Sequence, residues 1–321
     1  MQRFLLSFFT VSILFATDGL RAEAWPLPPP GIDIFGQIRT TQAGRTDTLL
    51  DIARLYDIGQ TEIMLANPHV DRWMPDDGSE VILPSRYIFP QAERKGIVVN
   101  LAEMRLYYFP EAKQGEQSVV MTFPTGIGRM DWIMPLGISR ITEKKKDPAW
   151  IPTESIKRYR IANGEPPLPN IVPPGPDNPL GRHAMRLSIG KGTYLIHGTS
   201  KPFGVGMRTS SGCIRMYPED IEKLFELVPI GTQVNIVNQP IKLGWLLDSL
   251  FIELHPPLEE DEAKYANYKQ MVIAEINSFL MQQRNQQKLG VDFEIDHETL
   301  DRAIAEKRGM PIVISRIPTS S

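Results

Sequence analysis

Tyr194-Leu195-Ile196-His197-Gly198-Thr199, then a polar loop, then Ser210-Ser211-Gly212-Cys213-Ile214-Arg215-Met216 decide how this chain is read. An apolar strand ends in a histidine, and a cysteine follows 16 residues later, just after a glycine and ahead of a helix. That separation lets a loop leave a strand and return beside it. A thiol nucleophile needs an imidazole to take its proton and free backbone N–H groups to hold the oxyanion formed on a carbonyl. Gly212 allows close backbone approach, and the charge of Arg215 favours the thiolate. A lone cysteine is by itself more often a small buried hydrophobe, and a strand-end histidine a structural residue. Together in this pattern they read as a nucleophile and its base.

Outward from this stretch the texture is β. Ile97 to Leu101 and Met104 to Phe109 form a hairpin pattern around Ala102-Glu103, and further strands are expected at 118–123, 138–142, 193–197 and 232–237. The one helix expected in this region is Pro218 to Val228, with proline in the first turn, Glu219 and Asp220 at its positive end, and Ile221, Leu224, Phe225 and Val228 on one face. Seven prolines between Glu165 and Pro179 forbid regular structure there, and such a loop suits a lid over the Cys213 cleft or, equally, a rigid wall beside it. Lys144-Lys145-Lys146 reads as a solvated loop.

Towards the N-terminus, Leu49, Ile52, Ala53 and Tyr56 share a helical face, Thr61 is a candidate cap for a second short helix stopped at Asn67-Pro68, and Gly78 to Pro84 reads as a closing strand. The expected unit is a βααβ module over 38–88. Trp25-Pro26-Leu27-Pro28-Pro29-Pro30-Gly31 reads as a stiff linker over 25–37. Before it, a basic start, an apolar run from Phe4 to Ala16 and Ala22-Glu23-Ala24 have the form of a signal peptide, residues 1–24, cleaved after Ala24. That run is too short to span a membrane. Residues 239–321 read as an accessory α+β subdomain, with strands at Leu250 to His255 and Ile312 to Ile314 and helices at Ala263 to Gln283 and Thr299 to Lys307.

Composition narrows the partners. Lys+Arg 35 against Asp+Glu 38 leaves no basic field, so nucleic acid is not expected. One cysteine excludes a disulfide within the chain, and an exported thiol without a partner is unusual. His183 reads as structural, and His69, His255 and His297 lack metal-ligand spacing, so no metal site is expected.

The pattern His-Gly, then Ser-x-Gly-Cys-Ile-Arg, resembles the signature of the YkuD-type L,D-transpeptidases, which remodel bacterial peptidoglycan. The likeness extends over Gly96 to Phe109, Pro124 to Gly128, Pro148 to Thr153, Gly164 to Pro166 and Pro174 to Gly181. With the front unit, which resembles a LysM peptidoglycan-binding module, nearly the whole chain is similar to the ErfK/YbiS/YcfS/YnhG subgroup of periplasmic enzymes. The resemblance implies an α+β protein whose catalytic domain, 95–238, is β-rich and sandwich-like. It makes Cys213 the acyl-forming nucleophile and His197 its base, oriented by the Gly198 backbone. Ser210, Gly212 and the Cys213 amide would frame the oxyanion site, and Arg215 would position a carboxylate or the loop. Where the family's common form has histidine before Gly-Cys, this chain has Ser211, which leaves the base role to His197 alone.

The implied reaction attacks a peptidoglycan tetrapeptide stem after its third residue, a diamino acid such as meso-diaminopimelate, and releases D-alanine. No cofactor is implied. The best acceptor is the terminal lysine of the outer-membrane lipoprotein; a second stem (3→3 crosslinking) and water (L,D-carboxypeptidase) are the alternatives. Carbapenems would acylate the thiol. A different class of reading is a decayed, non-catalytic peptidoglycan-binding scaffold, which the Ser211 departure suggests and the intact Cys213, His197, Gly212 and Arg215 oppose.

Overall fold

The computed structural model describes residues 24–285 and 293–316. The expected leader lies outside these residues except for Ala24. Among the described residues no helix is long and apolar enough to cross a membrane.

The chain enters on β1 (Ala24–Pro26), which pairs antiparallel with a strand a hundred residues later. It then builds β2 (Ile34–Gly36), β3 (Arg39–Gln42), α1 (Leu49–Leu55), α2 (Gln60–Ala66), β4 (Glu80–Leu83) and β5 (Arg86–Ile88). β3 and β4 pair antiparallel and close a small core of Leu49, Ile52, Ala53, Ile58, Ile63, Val81 and Leu83. Thr48 caps α1 by accepting from the Asp51 N–H, and Asp51 reaches back to the Thr48 N–H. α2 begins two residues earlier than the sequence suggests, with Gly59 as its cap, so Thr61 lies inside the helix and its hydroxyl donates to the Gly206 carbonyl at 2.6 Å.

The central body comprises β6 (Gly96–Asn100), β7 (Arg105–Phe109), β8 (Val119–Pro124), β9 (Ile127–Gly128), β10 (Gly137–Lys146), α3 (Glu154–Ala162), β11 (His183–Leu187), β12 (Leu195–His197), β13 (Arg208–Ser210), β14 (Ile214–Arg215), α4 (Pro218–Leu227) and β15 (Gln233–Val237). Nine strands make one mixed sheet in the order β1-β8-β7-β6-β15-β10-β11-β12-β14. The fold is thus mixed α+β, with one nine-stranded sheet and a short parallel β9–β13 pair where a sandwich was expected.

The reason lies in what covers its second face. Ile97, Val99, Leu106, Tyr108, Met121 and Phe123 pack into the main core with Ile221 and Leu224 of α4 and with Val228, which follows it. The alternate residues Val98, Tyr107, Phe109 and Val120 pack against Trp25, Leu27, Phe35, Tyr87 and Phe89. The half of the sheet from β1 to β6 is thus buried on both faces without a second sheet, while the other half keeps one face for a cleft. Residues 25–37 are therefore structural and not a linker: Trp25 pairs with Val120, and Phe35 stacks on Phe89 at 4.6 Å. Prolines suit an edge strand, whose outer N–H groups need no partner.

Lys144-Lys145-Lys146 ends β10, where a loop was expected. A bulge between Ile141 and Glu143 flips the strand's face. Lys144 then lies over the Phe225 ring and donates to the Val228 carbonyl at 2.9 Å, at the negative end of α4.

Beyond β15 come β16 (Ile241–Leu246), β17 (Ser249–Leu254), α5 (Tyr268–Asn285), β18 (Glu294–Ile295), α6 (His297–Glu306), β19 (Ile312–Val313) and β20 (Ser315–Arg316). β16-β17-β19 form a sheet under α5 and α6, around Leu243, Leu250, Ile252, Val272, Ile276, Phe279 and Leu300. α5 starts later than expected because a 3-10 turn at Glu259–Asp261 and further turns precede it.

Candidate active site

Register builds the site. β12 and β14 run parallel, with Ile196 opposite Ile214 and His197 opposite Arg215. Ile196 and Ile214 are core residues, so side chains one position away point to the other face. His197 and Arg215 lie there, and so do Leu195 and Cys213, one step before. β11 extends the rows: Ala184 is opposite His197, and Arg186 opposite Leu195. β10 completes them with Lys145 opposite Ala184 and Glu143 opposite Arg186. All these residues line one cleft of about 820 Å³.

The roof comes from Pro148, Trp150, Ile151, Thr153 and Ile156, at the start of α3, with Trp132 and Tyr194 on the rim. The proline-rich loop acts from behind. Of residues 165–181 only Pro179 and Leu180 line the cleft. Asn178 donates to the Pro148 carbonyl at 2.8 Å, and Val172 bridges Trp150. α3, unforeseen from the sequence, is capped by Thr153 and held by Arg129, which donates to the Tyr159 hydroxyl and lies over its ring.

His197 is buried, and its Nδ1 lies 2.5 Å from the Gly198 carbonyl oxygen. A carbonyl only accepts, so Nδ1 carries the proton and Nε2 is left as the basic nitrogen. Burial and then the nearby Arg215 lower its pKa to about 4, against the opposing pull of the Gly198 and Leu180 carbonyls. Cys213 is half-buried. Burial pushes its thiol up, and the Leu195 backbone, Arg215 and Arg186 offset only part of that. The resting pair is therefore a neutral thiol beside a neutral imidazole.

The turn holding Cys213 is fixed from both sides. Gly212 has φ +99°, a conformation that favours glycine, and a Cβ on Gly128 would come within 3.0 Å of its Cα. The Ser210 hydroxyl, 3% exposed, donates to the Cys213 carbonyl at 2.6 Å. Ser210 thus anchors the turn, with its hydroxyl spent away from an oxyanion. Ser211 lines the cleft. Among the described residues, neither the Gly212 nor the Cys213 amide donates to another protein group. Arg215 does not pair with Glu219 or Asp220: Nη1 donates to Thr209 at 3.1 Å, and Glu219 pairs with Arg54.

Of the other histidines, His183 is buried on the core face beside the Phe225 ring. His255 joins Glu103 and Glu253 in a group whose ligand atoms lie within 4.8 Å of one another. The Lys242 ammonium already sits among them, bonded to both carboxylates and to the Ile88 carbonyl, so the group's need for a cation is met from the chain. Sequence reasoning did not find Glu143, Lys145, Arg186, Trp132 or Trp150 as cleft residues.

Residues 94–236 match the family described as the YkuD L,D-transpeptidase catalytic domain. Over nearly the full length, the chain is 37% identical to the probable L,D-transpeptidase YcfS of Escherichia coli K12, covering 97% of this chain and 94% of that one. It is 37% identical to the probable L,D-transpeptidase ErfK/SrfK of the same strain, covering 95% and 94%. It is 38% identical to the probable L,D-transpeptidase YbiS there, covering 91% and 92%.

Proposed function

Because the chain belongs to the YkuD family of L,D-transpeptidases, cysteine enzymes of peptidoglycan, we propose that it acylates itself at Cys213 on a tetrapeptide stem and passes the acyl group to the terminal lysine of the outer-membrane lipoprotein. The observation that carries the catalytic assignment is the placement of Cys213 and His197 on one sheet face, with the imidazole tautomer set by Gly198.

His197 Nε2 takes the thiol proton as Sγ attacks the carbonyl of the third residue. The C–S bond forms, and the oxyanion is received by the free amides of Gly212 and Cys213. Collapse breaks the C–N bond, and D-alanine leaves with the proton from His197. The acceptor amine then gives its proton to His197 and attacks the thioester, forming the new C–N bond as C–S breaks, and the sulfur is reprotonated.

The unit over 38–88 is proposed to hold the glycan strand, along the open groove of Met64 and 67–72. The protein is proposed to act in the periplasm after cleavage behind Ala24, which leaves Trp25 and Pro26 to pair with Val120 and Val119.

In a strain lacking paralogues, Cys213→Ala is expected to abolish lipoprotein-linked muropeptides, and the purified variant to give no meropenem mass adduct, where the natural chain gives both. Loss of a nucleophile costs about 10³-fold or more in rate. Unchanged muropeptides in the variant would sink the catalytic assignment. Accumulation of 3→3 dimers or tripeptides by the natural chain, without lipoprotein linkage, would replace the acceptor.

A further inference from the structure

We propose that Arg186 and Glu143 recognise the zwitterionic end of the donor's third residue, Arg186 taking the carboxylate and Glu143 the ammonium at the far end of the diamino-acid side chain. This rests on the stem-peptide reading above.

Ion pairs across neighbouring strands are common, and half-exposed ones contribute little to stability. This pair, with Arg186 Nε 2.8 Å from Glu143 Oε2 and side chains 46% and 54% exposed, has no need to be where it is for the fold. Its position is what matters. Arg186 lies opposite Leu195, which lies level with Cys213, on the same sheet face and in the same cleft. With strands about 4.8 Å apart, Arg186 is about 10 Å from Cys213, Cα to Cα. Its charge is felt by the thiol.

The donor has matching dimensions. Once its α-carbonyl carbon meets Sγ, an extended diaminopimelate side chain puts its far carbon four C–C bonds from the α-carbon, about 5 Å away. That carbon carries one carboxylate and one ammonium. A side chain laid along the row Cys213, Leu195, Arg186, Glu143 brings these charges to the pair.

The guanidinium is also pre-set. Nε donates to Glu143, and Nη1 donates to the Gly192 carbonyl at 2.6 Å, where Gly192 has φ +77°. These bonds use two of its five N–H donors, so a carboxylate can still be gripped. The site and the head group are each neutral overall, so docking adds no net charge to the cleft.

Three synthetic donor tetrapeptides separate the two roles: one with meso-diaminopimelate at the third position, one with L-lysine (ammonium only), and one with L-norleucine (neither). Steady-state kcat/KM is measured for each. Arg186→Gln is expected to lower the diaminopimelate-to-lysine ratio about 10- to 100-fold, the worth of a charge-assisted hydrogen bond. Glu143→Gln is expected to lower the lysine-to-norleucine ratio about 10-fold, again by loss of a charge-assisted bond. A structural role would lower all three donors together, and that result, or unchanged ratios, overturns the proposal. Turnover of none of the three by the natural chain overturns the stem-peptide reading and this proposal with it.

Discussion

Two buried seams join the catalytic sheet to its neighbours, and they handle charge in different ways. At the C-terminal seam, Lys242 from β16 lies among Glu103, Glu253 and the Tyr107 hydroxyl, and His255 donates to Glu253 at 2.7 Å. Burial pushes Glu253 up, but Lys242 and His255 outweigh it and leave it at about 2. At the N-terminal seam, Arg105 reaches Glu62 at 2.7 Å and the Asp57 carbonyl at 3.3 Å. Asp57 and Asp220 there are hydrogen-bonded to each other, and burial raises both, Asp220 well above the ordinary carboxylate range. One seam sets an ammonium between its two carboxylates, which holds Glu253 low while burial and the neighbouring Glu253 still raise Glu103. The other has more buried acids than cations and retains a proton.

The C-terminal seam is the one a single change breaks hardest. Lys242→Met removes the only ammonium between two buried carboxylates, and uncompensated buried charge costs about 3–5 kcal/mol. The expected result is a large fall in the unfolding midpoint, measured by denaturant titration at pH 7, with partial recovery when Glu103→Gln is added. A loss below about 1 kcal/mol, the level of an exposed ion pair, would remove the contrast between the seams.

The N-terminal seam depends on backbone contact as well as charge. A Cβ on Gly206 would come within 2.2 Å of the Gln60 N and 2.5 Å of the Gly59 Cα, and its φ is +77°. The Gln60 and Thr61 amides donate to the Val205 and Gly206 carbonyls across this contact. Gly206→Ala is expected to cost about 1–3 kcal/mol through strain and parted strands of contact. Calorimetry should then show the N-terminal unit melting ahead of the remainder, while Lys242→Met lowers the C-terminal part. A single unshifted transition would show that the seam yields without cost.

The sequence made some of this legible and hid the rest for identifiable reasons. Cys213, His197, Gly212 and α4 were readable because their signals are local: a strand end, a glycine turn, and a proline-led amphipathic helix. The βααβ order of the N-terminal unit was readable from helical spacing. Arg186 and Glu143 were not, because their shared face exists only through the β10–β11 register, and the bulge after Ile141 reverses the alternation that a periodicity reading assumes. Residues 25–37 looked like a linker because prolines exclude a helix, yet prolines leave an edge strand open. The buried charges of the N-terminal seam involve residues 43 to 163 positions apart, as in Glu62–Arg105 and Asp57–Asp220, and at the other seam Glu103 lies 139 positions from Lys242, so no local pattern joins these pairs.

The proton at the N-terminal seam gives the smallest effect and the sharpest sign. Arg105, Glu62, Glu219, Arg54 and the Tyr217 hydroxyl surround the Asp57–Asp220 pair. A carboxyl whose pKa is raised on folding keeps its proton in the native state after the unfolded chain has lost it. Between the unfolded value near 4 and the raised folded value, the native state therefore binds more protons, and stability falls as pH rises. Asp220→Asn supplies an N–H donor to Asp57 that needs no proton. It should remove this slope and stabilise the protein at pH 8 by about 1 kcal/mol, the net worth of one hydrogen bond, with little change near pH 4. Thermal midpoints from pH 4 to pH 8 would show the two curves separating towards alkaline pH. Parallel curves would mean that the pair holds no proton and that this seam does not differ from the other in that respect.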